Sequence, residues 1–254
     1  MMRWLGIATV LLLALGAQPA RAQGVVLPLP AADQQRIATL LGPGVVGKAL
    51  PSVPIADSSV YFPLQNRELH YQVTSGKNAG KTQTLGLGQA RRPSGKEGWR
   101  FQVSPSISGF IRRTEEGDLL MPAVVDGGEG VVIVTTPANP FVLHGMKPGE
   151  ARSFSQQVAV NHLDDPSDLD YSGSLSGTFT YVGTYQVTVP AGTFPAVLFR
   201  LAVDGKVGPA HTQDIAYYFF APNQGVVAMI TQEDATAFWL IHIDSSSGKV
   251  LSAQ

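Results

Sequence analysis

The feature that most restricts the fold is the strand-and-turn pattern of residues 181–230. The run TYQVTV (184–189) alternates apolar and polar side chains, as a strand with one covered face does. The turn VPAG (189–192) places proline where φ near −65° is needed and glycine where φ can become positive. A second turn, APNQG (221–225), leads into another apolar run. The stretch therefore predicts a β-meander.

Some of the predicted strands are apolar on both faces. The clearest examples are IAYYFFA (215–221) and AFWLIHI (237–243). A single sheet with one face in water cannot explain them, because alternate residues would then be polar. Such strands must be covered on both sides, by a half-closed barrel with a helix, or by a partner or a ligand. This requirement is the main source of the functional hypothesis.

Composition limits the class of protein. The chain has 254 residues, of which 44% are hydrophobic and 15% charged, so it is globular rather than disordered. Its 27 glycines and 18 prolines favour many short strands and turns. The absence of cysteine excludes disulfides, thiol nucleophiles, thiolate metal sites and a lipid-modified cysteine. The folded state must therefore be stabilised by a hydrophobic core, without disulfides.

The first 22 residues are predicted to be a secretory signal peptide. Arg3 supplies the positive start, residues 4–15 the apolar segment, and Ala20-Arg21-Ala22 the cleavage site. Removing Arg3 and Arg21 from 18 basic residues leaves 16, against 19 acidic ones. No basic stripe points to nucleic acid. We expect an exported protein that does not span a membrane after cleavage, periplasmic or alternatively extracellular.

The mature chain is predicted to fold as one β domain. Residues 23–59 form a leader with one short helix, Ala31–Leu41, for which Asp33 is the candidate N-cap. Residues 60–244 form the β domain, and residues 245–254 a polar tail. The predicted fold class is mostly β, a half-open antiparallel β-barrel of about ten strands with the helix on or in its mouth. A two-sheet β-sandwich is the alternative.

The sequence motifs do not favour catalysis. Residues 42–49 and 75–82 resemble phosphate-binding loops but lack the flanking strand and helix, and residues 173–177 (GSLSG) lack the central serine of a nucleophile elbow. The five histidines have no metal-binding spacing. Four aspartates at 164–170 favour a solvated loop, with calcium as an alternative. We predict no catalytic residue, no metal and no cofactor.

Aromatic residues on the predicted strands are the candidate ligand-binding residues. Trp99, Phe101, Phe199, Tyr217 and Phe219 are the set expected to line an apolar cavity. The alternative is ordinary packing, since aromatic side chains on strands usually face a core.

Three segments resemble a known group of proteins. They are YFPL (61–64), VPAGTFPA (189–196) and YFFAPNQGVV (218–227). Together they resemble a group of exported bacterial proteins of unknown function, distantly similar to periplasmic lipoprotein-localisation carriers. That resemblance implies an unclosed β-barrel whose helices cover an apolar cavity. The glycine and tryptophan usual after the first motif are replaced by residues 65–69. The group has no established catalytic residues to carry over.

These observations lead to one functional expectation and two alternatives. We expect a non-catalytic periplasmic binding or carrier protein whose apolar concavity takes a lipid, an acyl chain or a hydrophobic protein segment. An envelope assembly or scaffolding protein would cover its apolar faces with another chain instead. A hydrolase built on a β scaffold would need a serine or carboxylate constellation assembled from distant strands.

Overall fold

The computed structural model describes residues 24–237 and 241–253. The predicted signal peptide and the residues Phe238 and Trp239 lie outside this part of the chain. In the described residues the chain forms fourteen β-strands and two helices. None of the helices found there is long and apolar enough to cross a bilayer.

The elements follow one another with short connections. The helices are α1 (Ala31–Leu41) and α2 (Ser58–Tyr61). The strands are β1 (Val25–Val26), β2 (Val46–Ser52), β3 (Arg67–Val73), β4 (Thr82–Arg91), β5 (Glu97–Gln102), β6 (Ile107–Arg113), β7 (Leu119–Asp126), β8 (Val131–Val142), β9 (Ala151–His162), β10 (Leu169–Val189), β11 (Gly192–Val207), β12 (Ala210–Ala221), β13 (Gly225–Ala237) and β14 (Ile241–Leu251).

Strands β3 to β14 form a closed antiparallel barrel. Each strand pairs with the next along the chain, and β14 returns to pair with β3. Closure comes from β10, which is 21 residues long. Its first half pairs with β9 and its second half with β2, while β11 runs along its other edge. The prediction of an antiparallel barrel is confirmed. The half-open form is wrong, and the described barrel has twelve strands rather than about ten.

The meander that defined the sequence pattern is present. Val189 pairs with Gly192 and Ala221 with Gly225, so both predicted turns are tight hairpins. Gly225 has φ 84° and Asn223 has φ 63°, values that glycine and asparagine adopt at low cost. The two turn motifs therefore set backbone geometry.

Segments near both ends of the described residues take part in the sheet. In the leader, β2 pairs with β10, and β1 pairs with β2. Of the predicted polar tail, residues 245–251 belong to β14, where Val250 and Leu251 are buried. The sequence did not predict this part of β14, because residues 245–249 (SSSGK) are polar and include three serines and a glycine, which do not favour strands.

The inside of the barrel is filled by aromatic rings. Phe141 of β8 contacts Phe62, Tyr218 and Phe220, with ring centroids 4.9–5.5 Å apart. These rings come from elements on different sides of the barrel, so the strand face that carries Tyr218 and Phe220 points inward. Phe179 and Phe199 stack beside them at 5.0 Å. Edge and offset contacts of this kind are the favoured packing of aromatic rings.

Helix α1 has the predicted bounds, and it packs on the outside of the barrel against β13 and β14. Ile37 and Leu41 are buried there. The N-cap is Pro30 and no side chain caps the helix, so the assignment of Asp33 as the N-cap is wrong. Asp33 is 1% exposed and faces the barrel instead. Strands such as β12 are thus apolar on both faces because the aromatic core covers one and α1 the other.

One glycine sets how closely α1 can approach. A Cβ on Gly248 would lie 2.1 Å from the backbone oxygen of Leu40, which accepts a hydrogen bond from Thr74 Oγ1. We expect Gly248→Ala to push the helix outward and to lower the free energy of unfolding by about 1–3 kcal/mol. Urea unfolding measures this loss. Gly47→Ala is the control, since its Cβ would have no contact closer than 3.4 Å. Equal loss in both variants would contradict the prediction.

Candidate functional site

The five candidate aromatic residues do not share one cavity. Phe101 and Phe199 point into the barrel, where their rings join the aromatic core. Trp99 lies two residues from Phe101 on the same face. Tyr217 and Phe219 point outward, toward α1. Their role as ligand-binding residues stays a prediction. In the structure these side chains pack against other residues of the protein.

A cleft of about 900 Å³ lies on the outer face of β9 to β13. Its floor consists of side chains from these five neighbouring strands, and Arg36 of α1 stands at one end. Cross-strand partners share a face of the sheet, so the strand register orders the floor into rows. We call this surface the outer cleft. None of the five aromatic candidates is among the residues that line it.

The row farther from the helix carries two carboxylates. Asp204 pairs with Gln213, and Gln213 pairs with Asp234, so the three side chains lie side by side on β11, β12 and β13. Gln213 Nε2 donates to Asp204 Oδ2 at 2.7 Å. His211 Nε2 lies 3.7 Å from Asp204 Oδ1, at the outer end of the row. We call Asp204, Gln213 and Asp234 the carboxylate row.

The row nearer the helix is mostly apolar. Ala202 pairs with Ile215, which pairs with Gln232. The Oε1 atom of Gln232 is shielded from solvent and has no hydrogen-bond partner in the described residues. A buried acceptor without a partner costs about 1–3 kcal/mol, which a donor from a ligand or a water molecule would recover. We call these three residues the middle row.

The helix end of the outer cleft is held in place by a polar network. Arg36 Nη1 donates to Tyr217 Oη at 3.0 Å, and Tyr217 Oη donates to Asp33 Oδ1 at 2.7 Å. Arg200 Nη1 donates to both oxygens of Asp33, at 3.0 and 2.9 Å. Desolvation raises the pKa of Tyr217, and the hydrogen bond to Asp33 adds to the rise. The network keeps the Tyr217 hydroxyl protonated and fixes the position of Arg36.

The serines and threonine at the β9 and β10 side complete the floor. Ser155 and Ser176 are cross-strand partners, with hydroxyl oxygens 3.4 Å apart. Thr178 continues the middle row beyond Ala202. Phe154 and its cross-strand partner Gly177 alternate with these residues, so the Phe154 ring packs against the core, where a Cβ on Gly177 would lie 2.5 Å from it. The outer cleft thus offers many hydrogen-bond acceptors next to a small apolar strip.

A second unusual group, Lys249, lies inside the barrel. It is 4% exposed and pairs with Met229, which pairs with the inward-pointing Tyr218. Lys249 Nζ donates to Val103 O at 2.6 Å, and no carboxylate lies within ion-pair distance among the described residues. Desolvation lowers the pKa of Lys249 to about 8. It is a buried ammonium without a counter-charge.

Along β13, past the pair of Met229 and Lys249, the inner face of the barrel becomes polar. Thr231 and Ser247 form the next inward pair, followed by the row of Asp214, Glu233 and Ser245. Burial raises the pKa of Asp214 to about 6, and the nearby carboxylates of Glu233 and Asp234 add to the rise. The barrel interior therefore changes from aromatic at one end to polar at the other.

The acidic loop at 164–170 uses its carboxylates locally. Asp165 Oδ1 accepts hydrogen bonds from Ser167 N at 3.1 Å and Ser167 Oγ at 2.6 Å, which hold the pKa of Asp165 below its usual range. His162 Nε2 lies 3.9 Å from Asp168 Oδ2. In the described parts of the chain no three His, Asp or Glu side chains are placed to hold a metal ion.

The sequence alone did not point to the outer cleft. Asp204, Gln213 and Asp234 look like ordinary exposed residues of alternating strands. Only the register of β11, β12 and β13 places them in one row, with sequence separations of 9 and 21 residues. One signal in the sequence could have indicated this surface. The runs that form β11, β12 and β13 all become polar where they lie next to one another, near residues 204–214 and 231–236.

No family model and no curated protein matches this sequence. Solved structures do match. A candidate exported protein with a YmcC-like fold from Bacteroides fragilis NCTC 9343 has a TM-score of 0.37 and 13% identity, over 80% of this chain and 98% of that protein. A candidate lipoprotein from Parabacteroides distasonis ATCC 8503 has a TM-score of 0.35 and 13% identity, over 78% of this chain and 99% of that protein.

The third structure is the hypothetical lipoprotein YmcC from Escherichia coli K12. It has a TM-score of 0.34 and 10% identity, over 89% of this chain and 97% of that protein. Similarities of this size carry no functional argument.

Proposed function

We propose that the protein is a non-catalytic, exported binding protein that takes a small ligand in the outer cleft, with the periplasm as its compartment. The observation that carries this proposal is the cleft itself. Its volume of about 900 Å³ lies in the range of about 300–1,000 Å³ that is usual for small-molecule sites. Its floor belongs to five paired strands, so a ligand would meet a surface that is already ordered.

The site differs from the one that the sequence indicated. A lipid or hydrophobic segment was expected because some strands are apolar on both faces. The chain covers both faces of β12 itself, with Phe141 and its neighbouring rings inside and α1 outside. The outer cleft remains available, and about half of its surface is polar. A ligand with several hydrogen-bonding groups therefore suits this protein better than an acyl chain.

A blocking substitution tests the proposal. Native mass spectrometry of the protein purified from the cell envelope is expected to show a bound small molecule. Ala202→Trp would fill the middle row and is expected to reduce the ligand-bound fraction at least about tenfold, equivalent to about 1.4 kcal/mol. Because Ala202 is on the outer face, the barrel core should be unaffected.

Lys206→Trp is the matched control. Lys206 lies on the same strand and face as Ala202, four residues further along, and does not line the outer cleft. This variant should keep its ligand. A wild-type protein without any bound molecule, or equal occupancy in Ala202→Trp and Lys206→Trp, would count against the outer cleft as the binding site.

A further inference from the structure

Inside the barrel, the boundary between packed and water-accessible side chains lies at Lys249. Lys249 is buried, and so are the other members of its inward-pointing row, which are Phe199, Tyr218 and Met229. The next inward row is only half-buried and consists of Leu201, Ala216, Thr231 and Ser247. Water therefore reaches this second row from the polar end of the barrel. We call the space beside these four residues the inner chamber.

Lys249 closes one side of the inner chamber with an ammonium group whose donors are only partly used. An ammonium has three N–H donors. Lys249 Nζ donates one of them to Val103 O at 2.6 Å, and no carboxylate in the described part of the chain lies within ion-pair distance. A buried charge is normally paired, because desolvation makes an isolated one costly. The remaining donors and the uncompensated charge therefore favour an anion.

Two hydroxyl groups lie next to the ammonium group. Ser247 is two residues before Lys249 on β14, so both side chains point into the barrel. Thr231 is the cross-strand partner of Ser247, on a strand about 4.8 Å away. Neither hydroxyl makes a hydrogen bond to another described residue. A carboxylate has two acceptor oxygens, so one can accept from the ammonium group and the other from the hydroxyls.

The rest of the inner chamber limits the size and charge of the anion. Ala216 and Leu201 continue the row of Thr231 and offer apolar contact to a short alkyl group. The next row toward the polar end carries Asp214 and Glu233. Their carboxylates repel a second negative charge and offer no apolar surface to a long alkyl chain. The inner chamber therefore suits a compact anion with a single charge.

We propose that the inner chamber is a second binding site, which holds a short-chain monocarboxylate with its carboxylate group on Lys249, Thr231 and Ser247. This site is separate from the outer cleft, because its residues point to the opposite face of the same strands. Its test is therefore independent of the proposed function. The ammonium group supplies the counter-charge, the two hydroxyls orient the carboxylate, and Ala216 and Leu201 cover the alkyl group.

Three probes test the ligand class by isothermal titration calorimetry on the purified protein, at pH 7 in a buffer without carboxylates. Butyrate should bind with a Kd of about 1 mM, as suits a ligand of few atoms. Butyramide, which has the same shape and no charge, should bind at least about tenfold more weakly. No binding of butyrate, or equal affinity for butyrate and butyramide, would overturn the proposal.

Octanoate tests the length of the alkyl group. Its longer chain would reach the row of Asp214 and Glu233, so it should bind no more than about threefold more tightly than butyrate. A gain of tenfold or more would reject the short chain and indicate an acyl chain instead.

Substitutions locate the carboxylate. Lys249→Met should weaken butyrate binding at least about tenfold, because the counter-charge is lost. Thr231→Val and Ser247→Ala should each weaken it about threefold. Lys206→Met is the matched control, since Lys206 is an exposed cation on the outer face of β11, and it should change nothing. Unaltered butyrate binding in Lys249→Met, or in both hydroxyl variants, would refute the site.

A second measurement does not depend on any variant. A bound anion next to an ammonium group favours its protonated form, so saturating butyrate should raise the pKa of Lys249. Carbon NMR of labelled lysine side chains follows this titration directly. A pKa of Lys249 that butyrate leaves unchanged would contradict the placement, even if butyrate binds elsewhere on the protein.

Discussion

Replacing Asp33 with alanine is expected to lower the free energy of unfolding by about 3 kcal/mol. Asp33 is 1% exposed and accepts three hydrogen bonds, two from Arg200 and one from Tyr217. Removing one member of a buried charge pair costs about 3–5 kcal/mol, because the other charge is left without compensation. The Arg200 side chain is 32% exposed, so water can reach it and the lower value applies.

Urea unfolding is the measurement, with the midpoint shifted and the slope unchanged. Asp33→Asn should lose less, because the amide oxygen can still accept from Tyr217. Gln34→Ala is the control, since Gln34 is exposed on the same helix and should change stability by less than about 0.5 kcal/mol. If Asp33→Ala unfolds at the wild-type urea concentration, the ion pair does not hold α1 in place.

Replacing Lys249 with methionine is expected to have the opposite effect and to raise the free energy of unfolding at pH 7 by about 2 kcal/mol. Burial lowers the pKa of Lys249 from 10.5 to about 8, and each pKa unit corresponds to about 1.4 kcal/mol. The full shift therefore sets an upper limit near 3 kcal/mol. Loss of the hydrogen bond from Nζ to Val103 O offsets about 1 kcal/mol of it. Methionine has a similar length and no charge to desolvate.

The same shift predicts a pH dependence with a definite sign. Between pH 8 and about 10.5 the folded protein has lost the Lys249 proton and the unfolded chain still holds it. Stability of the wild type rises with pH wherever the unfolded state binds more protons. The advantage of Lys249→Met over the wild type should therefore shrink across this window.

Urea unfolding at pH 7 and at pH 10 measures the difference between the two proteins, which removes the contribution of other titrating groups. Lys206→Met, at an exposed position of β11, should show no such pH-dependent difference. A Lys249→Met protein that is less stable than the wild type at pH 7 would mean that the ammonium has a stabilising partner.

The comparison of Asp33 with Lys249 shows that burial alone does not decide the effect of a charge. Asp33 has a counter-ion and a hydroxyl donor, so the folded state depends on it. Lys249 has one backbone acceptor, so the folded state tolerates it at a cost. The two variants should therefore move stability in opposite directions by similar amounts.

Local patterns in the sequence predicted local structure well. The limits of α1 follow from its apolar spacing and the Gly42-Pro43 stop, and the hairpins at Gly192 and Gly225 follow from turn residues. The register of β7 shifts between Met121 and Ala123, at Pro122, because proline has no backbone N–H to donate to the neighbouring strand. In each case the decisive interactions lie within a few residues.

Features that depend on distant residues could not be predicted. Asp33 occupies a place in the chain where a helix cap is common, and its true partners are 167 and 184 residues away. The return of β14 to β3 pairs residues as far apart as Leu251 and Tyr71, 180 positions along the chain, which no turn or alternation specifies. The outer cleft has the same origin, since its rows exist only through the register of separate strands.

The position of α1 and β2 has a consequence for the order of events during synthesis. The N-terminal segment is made first, but β2 pairs with β10 and Asp33 binds Arg200 and Tyr217. Until those later residues exist, the segment lacks its pairing with β10 and its ion pair with Arg200, and contacts of such long range form slowly. A chain that stops before Tyr217 would leave its N-terminal residues open to proteases. Protection of that segment therefore reports that the chain has been made at least as far as Tyr217.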